Sequence, residues 1–397
     1  MGRLSGKCRM DRRAFLAGAV GGVAAPLVGC ARPAAIDALA GSGISLSPLR
    51  TYSQLESRGL LRLAGVAGVP VHADIDCYRV LYPSRGSAGQ PITLSGLLAL
   101  PRGSRPRGLV SWQHGTTTTR AATPSNLSVD GLAAAIVFAA NGFALIAPDY
   151  IGLGVSKLTH TYLVADDTAR AVIDLLTAAR SLPGVPATPP FLIGFSQGGH
   201  ATLAVQNLLE ASGRPILGSA AIAGPHNLRT ISLGAALAGG STSHPLFLAY
   251  MVRGYAARYG HTIDSVLAPP AAALTPQLFD SPHEPDAIIA ALPKRPPAMF
   301  RADFLDAFDT GGRHWLLDAI AANEVSHFRP QAPVRLYFGN RDVDVPPAEA
   351  TTTERMLRQT GGQAQAIDVG PYDHNGSILV AAPKALAWLE TLTLTKL

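Results

Sequence analysis

The stretch Phe191-Leu192-Ile193-Gly194-Phe195-Ser196-Gln197-Gly198-Gly199-His200 decides the fold prediction for this chain. Its first three residues are apolar and predict a short buried strand, and Ala201 to Leu209 predict a helix that follows at once. Between them lies the pattern G-x-S-x-G. Its glycines permit a cramped strand-to-helix turn, which projects the Ser196 hydroxyl above a sheet and beside a helix N-terminus. The stretch therefore predicts a nucleophilic serine on an α/β sheet.

Strands and helices alternate on both sides of this turn. The predicted strands are Asp76–Tyr82, Thr93–Leu100, Gly108–Gln113, Ala144–Pro148, Phe191–Gly194, Ile216–Ala223, Val334–Phe338 and Ala364–Val369. After the first two they are almost continuously apolar, which is typical of strands that are covered on both faces. The predicted helices are Leu132–Ala140, Leu163–Arg180, Gly198–Ala211, Pro347–Gln359 and Ile378–Thr391. This order predicts a mostly parallel, doubly covered sheet of the α/β class.

Residues 225–330 interrupt the alternation. They contain helical apolar patches such as Leu246–Ala257 and the proline-rich pieces Ala268–Pro276 and Pro293–Pro297. Because so long a segment cannot be one loop, we expect a mostly helical cap inserted between two sheet strands, with a separate domain as the alternative. The sheet domain is then divided into residues 51–224 and residues 331–397.

The amino-terminal region has the features of an export signal. Asp11-Arg12-Arg13-Ala14-Phe15-Leu16 precedes an apolar run that ends in Leu27-Val28-Gly29-Cys30. The paired arginines predict twin-arginine export, and the ending resembles a bacterial lipobox with lipidation at Cys30. An uncleaved membrane anchor is the alternative, although the run is short and contains Pro26. We therefore expect a signal peptide over residues 1–30, a tether over residues 31–50, and a protein that is lipid-anchored in the cell envelope or secreted.

The distribution of charge along the chain indicates which classes of partner the protein can bind. The chain has 397 residues and a net charge of +6, but residues 1–29 hold five basic residues and one acidic residue, and the remainder carries only +2. The remainder has no basic block interleaved with aromatic residues, which argues against a nucleic-acid partner.

If Cys8 leaves with the signal and Cys30 carries lipid, Cys77 stays alone and no intramolecular disulfide forms. We expect Cys77 to be a buried structural thiol.

A serine nucleophile needs a base, and the base needs an acid that orients it. Asp342 follows the predicted strand Val334–Phe338, at the sheet edge where ligands bind in such folds, and Asp344 is the alternative acid. His374 lies between the last predicted strand and the last helix, which makes it the best base among eleven histidines. We therefore predict a catalytic triad in which Ser196 is the nucleophile, His374 is the base and Asp342 is the acid that orients the base.

The developing oxyanion needs donors, and the segment Trp112–Thr117 supplies a candidate loop. We predict that the N–H groups of Gln197 and Thr116 are the donors. His114, Gly115 and Tyr150 are predicted to line the substrate site. The chain has no H-E-x-x-H, paired C-x-x-C or P-loop motif, so no metal and no cofactor is expected.

Four patterns together carry a family resemblance. They are H-G-T at residues 114–116, P-D-Y-x-G-x-G at 148–154, G-x-S-Q-G-G-H at 194–200 and G-x-x-D-x-x-V-P at 339–346. They resemble the α/β-hydrolase superfamily and, within it, the secretory lipase family and its bacterial relatives. The resemblance covers Val71–Leu394 and implies an α/β-hydrolase fold with a helical cap, hydrolysis of carboxylic esters and no metal. The nucleophile, acid and base also follow one another in the order expected for that fold.

The leading functional prediction is a serine esterase or lipase that acts on a small-molecule or lipid ester through an acyl-enzyme intermediate. A serine peptidase or an acyltransferase on the same triad is the second candidate. A carboxylate in the cap that anchors a substrate amine would favour a peptidase, whereas a wide apolar cleft would favour lipid esters. A catalytically silent envelope binding protein is disfavoured, because such a protein has no physical need for a complete triad and oxyanion loop.

Overall fold

The computed structural model describes residues 42–279 and 283–394. The predicted signal peptide, with its twin arginines and Cys30, lies outside the described residues, and so does the predicted tether as far as residue 41. The described strands are β1 Ser45–Tyr52, β2 Ile75–Arg85, β3 Pro91–Pro101, β4 Leu109–Gln113, β5 Ala144–Pro148, β6 Phe191–Phe195, β7 Gly218–Ile222, β8 Val334–Phe338 and β9 Ala364–Asp368. They form one sheet in the order β1-β2-β3-β5-β4-β6-β7-β8-β9.

Twelve α-helices accompany the sheet in the described part of the chain. They are α1 Gln54–Leu63, α2 Val129–Ala139, α3 Ala165–Ala179, α4 Gln197–Ala211, α5 Leu233–Ala238, α6 His244–Tyr259, α7 Ala271–Leu278, α8 Pro285–Ala291, α9 Ala302–Thr310, α10 Trp315–Ala322, α11 Ala348–Gln359 and α12 His374–Leu394. Short helical turns occupy Pro124–Asn126, Leu228–Ser232, Ile263–Ser265 and Pro296–Met299.

The sheet is parallel from β5 to β9, and β1, β2 and β3 add an antiparallel edge. Every residue of β4, β5, β6 and β7 is buried, because helices cover both faces. One face packs against α3, α4 and α11, for example through Leu175 and Leu203. The other packs against α1, α2 and α12, for example through Phe138 and Leu386. The predicted parallel, doubly covered α/β sheet is confirmed.

The predicted tether is wrong over its last six residues. Ser45–Tyr52 forms β1, which pairs antiparallel with β2, and Leu46 and Leu49 pack on opposite faces of the sheet. The pairing is irregular between Pro48 and Arg50. An edge strand tolerates a proline and leaves half of its residues exposed, so its sequence lacks the apolar run that identified the inner strands.

Helices α5 to α10 lie between β7 and β8 and have a core of their own. Its buried residues include Leu246, Tyr250, Phe304 and Leu316. This is the helical cap that the sequence predicts between two sheet strands, and we call α5 to α10 with their connections the cap. Because β7 and β8 are hydrogen-bonded neighbours, the cap leaves the sheet and returns to it at adjacent positions.

Helix α12 is long and apolar enough to cross a membrane by length and composition. It is a core helix here, because Ala381, Ala385 and Leu386 are buried against the sheet and Trp388 meets the ring of Phe191 edge-on.

Cys77, predicted to be buried, is 2% exposed in β2, and burial raises the pKa of its thiol to about 12.

Candidate active site

Ser196 stands in the turn that joins β6 to α4. Its backbone has φ 56° and ψ −119°, a left-handed conformation that residues with a side chain rarely adopt. The turn is closed by glycines that lie against other backbone. A Cβ on Gly198 would stand 1.9 Å from the Gln113 carbonyl oxygen, and one on Gly194 would stand 2.2 Å from the Gly198 carbonyl oxygen. The glycines of the motif are therefore required by close contact, and they hold Ser196 at the start of α4.

His374 connects Ser196 to an acid. Its Nε2 lies 2.9 Å from the Ser196 Oγ, and its Nδ1 lies 2.7 Å from Asp342 Oδ2. A carboxylate can only accept, so Nδ1 carries the proton and Nε2 is left to accept the serine proton. Asp342 follows β8 and His374 begins α12 after β9, so the parallel sheet brings both beside Ser196. All three residues are at most 7% exposed.

The second oxygen of Asp342 is held by backbone. Its Oδ1 accepts the N–H groups of Asp344 and Val345, both at 2.9 Å. Asp344 accepts a hydrogen bond from the Ser241 hydroxyl of the cap. Of the two acids weighed from the sequence, Asp342 is the one that reaches His374.

Asp342, Asp344 and His374 also have the composition of a metal site, and their donor atoms lie within 4.8 Å of one another. A metal ion would need a free nitrogen lone pair on the imidazole. Nδ1 carries the proton that faces Asp342, and the lone pair of Nε2 accepts the Ser196 hydroxyl, so both nitrogens are engaged. The arrangement suits proton transfer between Ser196 and His374.

Gln197, the predicted oxyanion donor, is the first residue of α4. Backbone N–H groups in the first turn of a helix have no partner within the helix, so that of Gln197 is available beside Ser196. The side chain is anchored by His160, whose Nε2 lies 2.9 Å from the Gln197 Nε2. Burial lowers the pKa of His160 to about 4. The neutral ring donates from Nδ1 to the Ile151 carbonyl at 2.7 Å and accepts the Gln197 amide proton at Nε2.

His114 and Gly115 after β4, and Tyr150 after β5, were predicted to line the substrate site. His114 and Tyr150 are each 1% exposed, and neither is among the described residues that line the cavity above Ser196. Their rings stack at 4.1 Å, and the Tyr150 hydroxyl donates to the His114 carbonyl at 3.1 Å. His114 and Tyr150 therefore stabilise the loop through this stacking and this hydrogen bond. Gly115 packs instead against Phe195, where a Cβ would meet the ring at 3.1 Å, and its N–H donates to Asp130.

Thr116, the other predicted donor, is hydrogen-bonded to a tyrosine of the cavity wall. Its hydroxyl lies 3.0 Å from the Tyr162 hydroxyl, and the Tyr250 hydroxyl of the cap donates to the Thr117 carbonyl at 3.1 Å. The rings of Tyr162 and Tyr250 stack at 4.8 Å. The sequence prediction missed both tyrosines and His160, because Thr159-His160-Thr161-Tyr162 matches no motif and Tyr250 lies in the cap. The pairing of two aromatic hydroxyl groups with Thr116 and Thr117 appears only in three dimensions.

A cavity that is open to solvent at its mouth separates Ser196 from the cap. Its wall is mostly apolar, and Leu163 comes from the sheet domain while Phe247 and Leu248 come from α6. Polar side chains are few in this wall: Ser196, Tyr162, Ser232, His244 and Asp344. The cavity is therefore a place for an apolar group next to the serine hydroxyl.

The fold is similar to several solved structures. A Legionella pneumophila protein described only as a hydrolase superimposes with a TM-score of 0.81 at 25% identity, over 88% of this chain and 97% of that one. The rice cell wall degrading esterase LipA of Xanthomonas oryzae gives 0.77 at 24% identity, over 90% and 99%. Candida antarctica lipase A in its closed state gives 0.66 at 13% identity, over 91% and 84%.

No family model matches the chain, and no curated protein does. The structural similarity extends over the sheet and the cap together, since each superposition covers about nine-tenths of this chain. The α/β-hydrolase fold predicted from the four sequence patterns is confirmed, and the chain is similar in structure to a hydrolase, an esterase and a lipase.

Proposed function

We propose that the chain is a serine hydrolase of carboxylic esters. The observation that carries the proposal is the hydrogen-bonded series Ser196 Oγ, His374 and Asp342, at 2.9 and 2.7 Å, placed at the floor of an apolar cavity. A serine hydroxyl is a weak nucleophile until a base accepts its proton, and Asp342 holds the imidazole in the tautomer that can do so.

The chemistry follows from this geometry. The Ser196 oxygen attacks the ester carbonyl carbon while its proton moves to His374 Nε2. The carbonyl oxygen becomes an oxyanion, for which the N–H groups of Gln197 and Thr116 are the proposed donors. The tetrahedral intermediate expels the alcohol, which takes the proton from Nε2, and leaves an acyl-enzyme. Water then attacks with His374 as base, releases the acid and returns the proton to Ser196.

Ester hydrolysis is favoured over peptide hydrolysis by the cavity wall. A peptidase that binds a free amine needs a carboxylate aimed at it. Among the described residues that line the cavity, the one carboxylate is Asp344, and one of its oxygens accepts the Ser241 hydroxyl of the cap. An apolar acyl or alcohol group fits this wall better. The esterase and lipase activities of the structural neighbours support the same class of reaction.

The proposal is tested by Ser196→Ala. We expect turnover of p-nitrophenyl esters to fall on the order of a millionfold, because the acyl-enzyme cannot form. Ser212→Ala, at the exposed carboxyl end of the same helix, is the matched control and should keep its activity. Esters of graded chain length and aminoacyl amides should be assayed side by side. A Ser196→Ala enzyme within tenfold of the wild type, or amides cleaved faster than esters, would refute the proposal.

We further propose that the protein is exported through the twin-arginine route and anchored by lipid at Cys30. The supports are Arg12-Arg13 and the sequence Leu27-Val28-Gly29-Cys30 at the end of the apolar run. Lipid chains contribute about 0.8 kcal/mol per buried CH₂, and the nearly neutral remainder offers no second electrostatic anchor.

Cys30→Ser should therefore move the protein from the membrane fraction to the soluble fraction. Cell fractionation and immunoblotting of the wild type and the variant measure this. Cys77→Ser keeps the lipobox and should remain with the membrane. A wild type that is already soluble, or a Cys30→Ser protein that stays in the membrane, would contradict the lipid anchor.

A further inference from the structure

His244 is a buried imidazole that the proposed mechanism does not use. It is the first residue of α6, is 1% exposed and lines the cavity that holds Ser196. Neither Nδ1 nor Nε2 has a hydrogen-bond partner among residues 42–279 and 283–394. Leaving a buried polar group unpaired costs free energy, so an unpaired imidazole in a binding cavity points to a ligand group that completes it.

The other polar side chains of the cavity wall are already engaged. The Ser196 hydroxyl faces His374, and the Ser232 hydroxyl donates to Glu349. Asp344 accepts from Ser241, and the Tyr162 hydroxyl is paired with Thr116. Within the described part of the wall, His244 alone has no hydrogen-bond partner on either of its side-chain nitrogens.

The rest of the wall is apolar. It includes Leu163, Leu228, Leu233, Phe247, Leu248 and Met251. A pure hydrocarbon chain would pack against these side chains but would exclude water from His244 and leave its donor and acceptor unpaired. A group that carries a hydroxyl or carbonyl oxygen would pack equally well and would pair with the imidazole. A site built to hydrogen-bond such a group discriminates against the analogue that lacks it.

We infer that His244 determines specificity by hydrogen-bonding an oxygen-bearing group on the part of the ester that fills the cavity. The preferred substrates are then hydroxy- or oxo-substituted esters rather than plain alkyl esters. The inference rests on the proposed ester hydrolysis and adds the substrate class. His244 contacts the substrate away from the bond that breaks, so its loss should alter selectivity and leave the triad chemistry intact.

The test compares matched pairs of esters. One series carries the hydroxyl at successive carbons of the acyl chain of p-nitrophenyl esters, and a second carries it in the alcohol half. Each is paired with an alkyl ester of equal length. The wild type should prefer the hydroxylated member at the best position by roughly tenfold to a hundredfold in kcat/KM. His244→Leu should reduce this preference to near one, mainly by raising KM for the hydroxylated member.

Two further variants separate a polar contact from packing. His244→Gln keeps a donor and an acceptor and should keep part of the preference. Phe247→Leu changes the cavity volume without removing a polar group, so it should affect both members of a pair alike. An unchanged preference in His244→Leu, or no preference by the wild type in either series, would overturn the inference alone. If the wild type shows no Ser196-dependent hydrolysis of any ester, p-nitrophenyl acetate included, the proposed function is overturned as well.

Discussion

Asp342 and Asp344 are two residues apart, and their carboxylates have different partners. Asp342 holds His374, whereas Asp344 accepts from Ser241 in the cap. Asp342→Asn should therefore lower kcat roughly ten-thousandfold, because the imidazole loses the tautomer that accepts the serine proton. Asp344→Asn keeps an acceptor for Ser241 and should cost less than tenfold. Steady-state kinetics on p-nitrophenyl butyrate decides between them, and a larger loss for Asp344→Asn would reverse the assignment.

The sequence led to Ser196, Asp342 and His374 because each follows the carboxyl end of a recognisable strand. Parallel strands bring those ends to one edge of the sheet. The order of the strands therefore predicts, without any measured distance, that the three residues lie close together. The same reasoning does not determine what His114 and Tyr150 contact. Both belong to a motif near the site, but a motif does not distinguish a side chain that faces substrate from one that supports the loop from behind.

At the scale of elements, the join between β6 and α4 depends on glycine. Gly198→Ala places a Cβ within 1.9 Å of the Gln113 carbonyl, so we expect a loss of about 1–3 kcal/mol of stability and a displaced Ser196. Gly59→Ala is the matched control, because a Cβ there meets nothing within 4 Å in the middle of α1. It should stabilise the protein by about 0.5–1 kcal/mol. Urea unfolding with activity assays compares the two, and equal effects would disprove the close-contact argument.

The inner strands and the helices around the sheet were predictable because strand and helix periods alternate along the chain. Strand β1 and helix α1 were not. Strand β1 is a polar edge strand that contains Pro48, and α1 leaves Leu55 and Leu63 exposed, so neither has the continuous apolar pattern of the core. Of the cap helices, α6 matches the predicted helical patch Leu246–Ala257. The other cap helices were not predicted individually, because they bury their residues mainly against one another.

On the scale of the whole molecule, Glu349 of α11 connects the sheet domain to the beginning of the cap. Its Oε2 accepts the backbone N–H groups of His226 and Asn227 at 3.1 and 2.8 Å, and the Asn227 side chain at 2.9 Å. Its Oε1 accepts the Ser232 hydroxyl. Burial raises the pKa of Glu349 above its usual 4.5, although these hydrogen bonds oppose the shift.

This raised pKa gives a signed prediction. Between pH 4.5 and the folded-state pKa, the native state binds more protons at Glu349 than the unfolded state, so the free energy of unfolding falls as pH rises through that window. Glu349→Gln keeps the shape and cannot titrate. The stability of the variant relative to the wild type should therefore increase with pH above 4.5 and then level off. Denaturant unfolding of both proteins at several pH values measures this, and a difference that does not vary with pH would contradict it.

The cap departs from β7 and returns at β8, two neighbouring strands of the same sheet. Pairing them requires closure of the chain between Ile222 and Val334, and the entropic cost of closing a flexible loop grows only with the logarithm of its length, by about 0.6 kcal/mol for each doubling. Segments of very different length could thus be exchanged at this point with little penalty to the sheet. The chain keeps Ser196 on one side of the junction and Asp342 and His374 on the other, which frees the cavity wall to evolve new selectivity while the reacting atoms stay in place.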